Sequence, residues 1–308
     1  MKIGNIELGT GAILAPMAGY TEIGFRAACA HFGAVMTVTE MISAKGLIYN
    51  GEKTLGLLYV SPYEKLCAVQ IFGSEPDVMA EAVKTSYLKD FSIIDINMGC
   101  PVNKVVKGGE GSALMNNPAL ASKIISAVKN AAGNRPVTAK FRLGWDENNK
   151  NFLDFGKMAQ DSGADAITLH SRTRADFYSG YADIKAWEQL KNAVNIPVIA
   201  SGDIKDKQGY DDALKAVDGV MIGRGALGRP QIFGEVLGKE NLLNPMYAIK
   251  IHLNELKKHY DDRMVAINFR KHIGYYLKGT NGGKEIKVLC NQAQSTDEIL
   301  DLLGKVLV

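Results

Sequence analysis

The sequence contains few cysteines, and their spacing excludes the structures that cysteine-rich chains build. The four are Cys29, Cys67, Cys100 and Cys290, and no two of them form a C-x-x-C pair. Neither a disulfide framework nor a cysteine zinc cluster fits this pattern, so we expect no metal. Scattered free cysteines are typical of proteins in a reducing cytosol.

Long apolar runs are also missing from the start of the chain. Residues 1–19 hold no run of about 18 apolar residues that could span a bilayer, and they lack the basic start and apolar stretch of a signal peptide. We therefore expect a soluble, cytoplasmic protein without a membrane partner. The 308 residues, 46% hydrophobic and 22% charged, are sufficient for one large α/β domain with an appendage or for two medium domains.

The chain has little net charge, +3 from 36 basic and 33 acidic residues, but this charge is unevenly distributed. Residues 1–238 are neutral, and residues 239–308 carry the whole surplus. Within that tail, residues 250–287 hold 9 basic and 4 acidic side chains, interleaved with three histidines and three tyrosines. A basic segment with aromatic residues can bind phosphates, although an exposed helix surface is the simpler explanation of an isolated segment of this size.

Short apolar, β-branched runs alternate with helix-like stretches over the first 238 residues. The eight predicted strands are 13–17, 35–39, 67–72, 93–97, 137–142, 166–171, 197–201 and 219–223. The predicted helices between them include 77–88, 118–131, 152–161 and 184–193. Eight such units in about 240 residues predict an α/β protein with a (β/α)8 TIM barrel over 1–238.

A doubly wound open sheet is the alternative fold for these strands and helices. It would require a glycine-rich dinucleotide fingerprint after the first strand, where the chain instead has the segment APMAG at 15–19. The barrel is therefore preferred. Beyond it, 239–245 is a predicted linker, and helical periodicity at 245–259, 265–277 and 296–307 predicts a small all-helical domain over 239–308.

Polar side chains alternate with apolar ones at the ends of four predicted strands. Alternation places them on one face, and barrel enzymes carry their chemistry at the carboxyl ends of the strands. The residues are Gln70, Asp95, Asn97, Thr138, Lys140, Arg142, Thr168, His170 and Arg172. Donors outnumber acceptors among them, so we expect an electron-rich or anionic ligand. A lysine within a barrel strand points the same way, because burial of an unpaired ammonium is costly.

The last two predicted strands are followed by glycine-containing loops suited to a phosphate. These are Ser201-Gly202-Asp203 and Gly223-Arg224-Gly225. The loops after strands seven and eight are the usual phosphate site of a TIM barrel, and glycine lets backbone N–H groups approach closely. A flat head group over the barrel and a phosphate at this edge together indicate flavin mononucleotide (FMN). Lys140 would stabilise negative charge on the reduced ring.

Cys100 lies in a glycine-lined loop after the fourth strand, whereas the other three cysteines are expected to be small apolar filler. A thiol with the usual pKa of about 8.5 is mostly protonated at neutral pH, so it can act as a general acid. It can also act as a nucleophile if a nearby cation lowers its pKa. The motif alone is compatible with both roles.

Several motifs occur in order along residues 12–280 and resemble the tRNA-dihydrouridine synthases. They are Ala15-Pro16-Met17-Ala18-Gly19, Glu40-Met41, Val69-Gln70-Ile71-Phe72-Gly73, Asp95-Ile96-Asn97-Met98-Gly99-Cys100-Pro101, His170-Ser171-Arg172-Thr173, Ser201-Gly202-Asp203-Ile204, the segment 223–230 and Arg270-Lys271-His272. The Cys100 loop and the Arg-Lys-His motif are specific to that family, whereas the phosphate glycines occur in many flavin barrels.

The resemblance implies an oxidoreductase that reduces the C5=C6 bond of uridine in tRNA with FMN, which NADPH reduces. Hydride would pass from flavin N5 to C6, and Cys100 would protonate C5. Implied FMN contacts are Pro16, Met17, Gln70, Lys140, His170, Ser201, Gly202, Asp203, Gly223 and Arg224. Implied uracil contacts are Asn97, Arg172 and Arg142. No obligate protein partner is implied.

A uridine inside folded tRNA must be flipped out to reach a flavin, and contacts with the rest of the RNA must offset that cost. The basic tail helices are the expected contact, and Lys104, Lys107 and the segment 174–178 are further candidates.

Two other functions remain open at this stage. One is a flavin barrel acting on a free pyrimidine, similar to a dihydroorotate dehydrogenase, although such an enzyme needs no basic appendage. The other is a non-catalytic RNA-binding barrel, which needs no cysteine facing a flavin.

Overall fold

A computed structural model describes residues 1–49, 51–239 and 244–307. Eight parallel strands close into a barrel, in which the last strand pairs with the first. The strands are β3 (Ile13–Leu14), β4 (Met36–Ser43), β5 (Cys67–Phe72), β6 (Ile93–Met98), β7 (Val137–Arg142), β8 (Ala166–His170), β9 (Val198–Ser201) and β10 (Gly219–Ile222). A short antiparallel hairpin, β1 (Lys2–Ile3) and β2 (Ile6–Glu7), precedes them. The predicted TIM barrel is confirmed.

The barrel strands lie where the sequence predicts them, with differences at their ends. The predictions for β5 and β7 are exact, whereas β3 ends at Leu14 rather than at residue 17. Pro16 explains the early end, because its ring nitrogen has no hydrogen to donate to a neighbouring strand. The second strand is longer than predicted and runs to Ser43 through an irregularity in its pairing between Val38 and Met41.

Helices surround the barrel, and those of nine residues or more each bury an apolar face. Those up to residue 239 are α1 (Ile23–His31), α2 (Ala44–Ile48), α3 (Glu52–Leu55), α4 (Pro76–Lys84), α5 (Asn103–Val106), α6 (Pro118–Ala132), α7 (Phe152–Asp161), α8 (Lys185–Ala193), α9 (Lys207–Ala216) and α10 (Ile232–Glu235). The sequence of α6 shows why such segments are helical. Pro118 occupies its first turn, the Asn117 side chain accepts the backbone N–H of Leu120 at 3.1 Å, and Gly133 follows its end. The prediction for 77–88 is too long, since α4 ends at Lys84.

The described part of the tail contains four helices, one more than predicted. They are α11 (Pro245–Lys257), α12 (Asp262–Tyr276), α13 (Gly283–Gln292) and α14 (Thr296–Gly304). The missed helix, α13, buries only Gly283, Ile286 and Cys290, which is too short an apolar stripe to show helical periodicity. Most of the predicted linker, residues 240–243, lies outside the described residues.

The tail helices share a hydrophobic cluster with α1 of the barrel. Ile23, Ala28 and Phe32 pack with residues of all four tail helices. The contact is close at Gly24, where an added Cβ would lie 2.5 Å from the His252 ring, and at Gly228. Among the described residues, no helix is both long and apolar enough to cross a membrane.

Gly228→Ala is expected to destabilise the packing of the tail on the barrel. Gly228 has a φ of +73°, and its added Cβ would lie 2.3 Å from the Tyr275 backbone. We expect a loss of at least about 2 kcal/mol, visible as a lower melting temperature and faster amide exchange in the tail. Gly238→Ala is the matched control, because Gly238 has a φ of +72° but no described atom within 4 Å of the added Cβ. Equal effects of the two substitutions would contradict the close-approach argument.

Candidate active site

A cavity of about 1170 Å³ opens at the carboxyl ends of the barrel strands. It is lined by every residue proposed above for FMN, uracil or acid catalysis except Arg172: Pro16, Met17, Gln70, Asn97, Cys100, Lys140, Arg142, His170, Ser201, Gly202, Asp203, Gly223 and Arg224. The tail contributes Tyr275, Tyr276, Lys278 and Thr280 to the same cavity. The strand alternation seen in the sequence therefore brings together the side chains of Gln70, Asn97, Lys140, Arg142 and His170.

A chain of hydrogen bonds connects three barrel strands beneath this cavity. Asp95 accepts from the Gln70 amide nitrogen at 2.7 Å and from the Thr138 hydroxyl at 2.5 Å. The Gln70 oxygen accepts from the Asn97 amide nitrogen at 2.7 Å. The Asn97 oxygen accepts the backbone N–H groups of Gly99 and Cys100, at 3.2 and 2.9 Å. The chain thus fixes the start of the cysteine loop relative to β5 and β7.

Lys140, half-buried at the cavity, and Asp95, buried beneath it, are a cation and an anion on adjacent strands. Burial and the neighbouring Arg142 together lower the pKa of Lys140 to about 8, against the opposing effect of Asp95. Burial raises the pKa of Asp95 to about 6. The Lys140 ammonium forms no hydrogen bond within the described part of the chain, so its donors are available to a ligand. Such a group can stabilise negative charge that develops in the cavity.

His170 is held neutral in this cavity. Burial lowers its pKa well below the usual value, and the neighbouring Lys140, Arg142, Arg172 and Arg224 lower it further. These four cations outnumber the two carboxylates at the site, those of Asp95 and Asp203, and an anionic ligand would balance the excess positive charge.

The phosphate loops have the backbone shapes that the sequence suggested. Gly202 has a φ of +127°, and its added Cβ would lie 3.0 Å from the Ala182 Cβ and 3.2 Å from the His170 ring. Asp203 also has a positive φ, 52°, and its carboxylate binds the Arg224 guanidinium at 3.3 Å. The Asp203 side chain therefore orients Arg224, and only backbone atoms of this turn suit direct contact with an anion.

The two arginines proposed as uracil contacts differ in their placement. Arg142 lines the cavity while donating to the carbonyl oxygens of Gly99, Thr173 and Phe177 at 2.8–2.9 Å. Arg172 is buried beside the cavity instead.

Arg172 is bound to other parts of the barrel rim. Its guanidinium donates to the carbonyl oxygens of Ser179 and Gly180 at 2.9 Å and to Asp203 at 2.6 Å. The prediction that Arg172 shares a strand face with His170 is wrong, because β8 ends at His170 and the 174–182 loop folds over the Arg172 guanidinium.

Cys100 differs from the other cysteines in its accessibility. It is partly exposed at the cavity, whereas Cys29, Cys67 and Cys290 are buried. Burial raises the pKa of the Cys100 thiol, against smaller opposite effects of the Val102 backbone and Arg142. The thiol is therefore protonated at neutral pH, as a general acid must be. Gly111 is required beside it, because a Cβ there would lie 3.0 Å from the Cys100 Cβ.

Two tyrosines at the cavity rim were not identified from the sequence. Tyr20, in the loop before α1, and Tyr275, on α12, meet edge to face with ring centroids 5.6 Å apart. Both line the cavity, but they come together only through the packing of the tail on the barrel, which sequence periodicity does not report. Tyr178, within the predicted RNA-contacting segment, lies against the guanidinium groups of Arg224 and Arg142, at 4.7 and 5.6 Å.

Two histidines of the predicted basic face are not exposed. His252 and His272 are fully buried and bind the two carboxylate oxygens of Glu22 through Nε2, at 2.5 and 3.2 Å. Burial lowers the pKa of His252 to about 4, so this ring is neutral at physiological pH. These histidines thus hold the tail against the barrel, and they do not form a phosphate-binding surface.

Glu22, His252 and His272 also have the ligand types of a metal site. A metal bound through both Nε2 atoms would move each ring proton to Nδ1. Neither Nδ1 has a hydrogen-bond partner among the described residues, although metal-bound histidines almost always have one. The Lys271 ammonium lies 3.5 Å from the Glu22 carboxylate, which further disfavours a cation. The arrangement fits an interdomain contact better than a metal centre.

Comparisons with known proteins identify the family that this chain resembles. A protein-family model described as dihydrouridine synthase (Dus) matches residues 13–307. A probable tRNA-dihydrouridine synthase of Rickettsia conorii is 39% identical over 303 residues, covering 94% of this chain and 91% of that protein. The tRNA-dihydrouridine synthase B of Vibrio cholerae is 40% identical over 314 residues, covering 98% and 97%.

Solved structures that resemble this one are more distant. Morphinone reductase superposes with a TM-score of 0.55 at 12% identity, over 77% of this chain and 88% of its own. An old yellow enzyme homologue from Zymomonas mobilis gives a TM-score of 0.57 at 13% identity, over 79% and 92%. At these identities the similarity supports the barrel fold alone.

Proposed function

The chain belongs to the dihydrouridine synthase family, and we propose that it reduces the C5=C6 bond of a tRNA uridine with FMN and NADPH. One observation carries the proposal. A protonated, accessible thiol at Cys100 lies in the same cavity as the Lys140 ammonium and the two phosphate loops. The reaction requires an acid that protonates a carbon atom of the base and a cationic site that binds the flavin.

The residues at the cavity fit FMN. Gly202 leaves space that a Cβ would fill, and Arg224 beside it offers a cation for the phosphate. Gln70, Lys140 and His170 offer hydrogen-bonding groups for the ring, which Pro16 and Met17 would line. When bound and reduced by NADPH, FMN would supply the hydride for C6 of uracil.

The protein residues would perform the remaining steps of the reaction. Asn97 and Arg142 bind and orient the uracil, and Cys100 delivers its thiol proton to C5. The Cys100 thiolate that results must regain a proton from solvent before the next turnover. Arg172 keeps Asp203 and, through it, Arg224 in position, so we assign Arg172 a positioning role in place of uracil contact.

The first test is whether the purified protein is yellow and releases a cofactor with the mass of FMN. The second is dihydrouridine mapping in tRNA from a strain that lacks the gene, before and after treatment with the enzyme and NADPH. Dihydrouridine at one or more defined positions is expected. Reduction of free uridine or orotate, with tRNA unchanged, would instead indicate the dihydroorotate dehydrogenase-like alternative. A colourless protein that binds tRNA would indicate a non-catalytic barrel.

We further propose that the tail, residues 239–308, binds tRNA together with the exposed Lys104 and Lys107 of the barrel. Lys278 lines the cavity, and Lys271 is on the same helix as Tyr275, at the cavity rim. Their charges are thus placed to contact RNA whose target base enters the cavity.

Lys271→Ala combined with Lys278→Ala is expected to weaken tRNA binding without changing the flavin content. Each lost phosphate contact reduces the salt dependence of log Kd by about one, so the slope should fall by about two. A filter-binding titration over salt concentration measures both quantities. Lys123→Ala with Lys157→Ala, on the outer faces of α6 and α7, is the control. An unchanged affinity at every salt concentration would place the RNA elsewhere.

A further inference from the structure

Every hydrogen bond in the chain beneath the cavity has its donor on the side of Cys100 and its acceptor on the side of Asp95, apart from the bond that Thr138 donates. The two ends of the chain fix this direction. At one end, the Asp95 carboxylate accepts from both Gln70 and Thr138. At the other end, the backbone N–H groups of Gly99 and Cys100 can only donate, so they require the oxygen of Asn97. The side-chain amides of Gln70 and Asn97 are therefore both oriented. The Gln70 nitrogen points to the Asp95 carboxylate, and the Asn97 nitrogen points to the Gln70 oxygen.

The direction limits what Asn97 can offer to a substrate. Its oxygen already accepts two backbone N–H groups, which uses both lone pairs. One hydrogen of its nitrogen binds the Gln70 oxygen, and the nitrogen lies 3.7 Å from the Met41 sulfur. Because a thioether sulfur is a weak acceptor, a carbonyl oxygen of a ligand can take over the second N–H. Since Asn97 lines the cavity, it presents a donor and no acceptor there. Such a group binds a carbonyl oxygen and is left unpaired opposite an amino group.

We propose that Asp95 is a positioning residue that maintains this direction and thereby makes Asn97 select a pyrimidine carbonyl over an exocyclic amine. The inference rests on the proposed function. It assigns a role to a buried carboxylate, 3% exposed, that does not line the cavity. The same chain anchors the backbone of Cys100, so its direction also affects the position of the acid.

Two substitutions that conserve volume separate the direction of the chain from the packing around it. In Asp95→Asn, the amide oxygen can still accept from Gln70 while the new NH₂ group donates to the Thr138 hydroxyl, which can accept. In Thr138→Val, the carboxylate of Asp95 still accepts from Gln70. Each single variant therefore keeps the direction of the chain, and we expect each to retain activity within about threefold of wild type.

The double variant, Asp95→Asn with Thr138→Val, has no acceptor for the new NH₂ group except the Gln70 oxygen. If the Gln70 amide turned its oxygen towards the new NH₂ group, the Gln70 and Asn97 nitrogens would face each other. If Gln70 kept its orientation, the new NH₂ group would be buried without an acceptor. We expect kcat/KM with tRNA to fall about tenfold below the product of the single effects. The preference for uridine over cytidine at the target position should fall with it.

The rate of Cys100 alkylation by iodoacetamide is a readout that requires neither flavin nor tRNA. Cys100 is the accessible thiol among four cysteines that the structure describes, and the Asn97 oxygen holds its backbone. The double variant should react several-fold faster than expected from the two single variants, with the melting temperature as a check on folding.

Additive effects on both kcat/KM and alkylation would overturn the inference, as would an Asp95→Asn variant as impaired as the double variant. If the wild-type enzyme forms no dihydrouridine, the proposed function fails, and the uracil selectivity inferred here fails with it. Non-additive alkylation rates would then still support the role of Asp95 in directing the chain.

Discussion

Cys100→Ala is expected to bind FMN and to be reduced by NADPH normally, yet to form dihydrouridine about 10²–10⁴ times more slowly than wild type. The substitution removes the proton donor and little else, because Gly99 and residue 100 keep their backbone hydrogen bonds to Asn97. Flavin reduction and re-oxidation by tRNA, followed in separate stopped-flow experiments, distinguish the two half-reactions. Cys290→Ala, a buried cysteine of the tail, is the control.

The pH dependence separates the two roles that the sequence left open for this thiol. Burial raises the pKa of Cys100 above that of an ordinary thiol, so the thiol stays protonated through neutral pH. As a general acid it should give a rate that is level near pH 7 and falls as the pH rises through the raised pKa. A nucleophilic thiolate would give the opposite slope. Near-normal product from Cys100→Ala, or a rate that rises with pH, would contradict the assignment to acid catalysis.

The sequence predicted the barrel well because its signals are local. Each strand is a short apolar run, and alternation alone places Gln70, Asn97, Lys140 and His170 on the face that turns out to line the cavity. The predicted ends of the strands are less accurate, because a strand stops where the neighbouring strand no longer offers backbone hydrogen-bond partners. Pro16 was the one sequence signal for such an end, and the prediction for the first strand passed over it.

Contacts between distant segments were not predictable in the same way. His252 and His272 look like members of a basic surface when only their neighbours in the chain are counted. Their burial depends on Glu22, which is 230 residues before His252. Arg172 likewise follows the alternating pattern in the sequence, but β8 ends at His170, and a loop outside the pattern determines what the Arg172 guanidinium binds. Periodicity therefore predicts faces of elements, and tertiary packing decides which of those faces remain accessible.

A buried ion pair that connects α1 to the loop before β5 gives the second large expected effect. Arg26 and Glu64 lie 2.8 Å apart, and their side chains are 1% and 0% exposed. Arg26 also donates to the carbonyl oxygens of Thr21 and Tyr59, and Glu64 accepts from Thr37 and the Ser61 backbone. All the polar groups involved are thus paired, which a buried pair requires.

Glu64→Gln is expected to lower the free energy of unfolding by about 3–5 kcal/mol, because it leaves the Arg26 guanidinium buried without a counter-charge. Denaturant titration of the holoenzyme measures the loss. The double variant Arg26→Met with Glu64→Leu is the control, since removal of both charges should restore most of the stability. A double variant less stable than Glu64→Gln would show that the pair contributes net stability.

The pH dependence of stability provides an independent check on the same pair. Burial alone would raise the pKa of Glu64, but Arg26 and the hydrogen bonds outweigh it, and the pKa is lowered from 4.5. A carboxyl with a lowered pKa contributes stability that is present above its unfolded pKa and is lost as the pH falls through the folded one. Wild type should therefore lose stability in acid more steeply than Glu64→Gln, which has no proton to take up at this site. Parallel curves for the two proteins would mean that Glu64 is not ionised in the fold, and the effect of its substitution would then reflect packing alone.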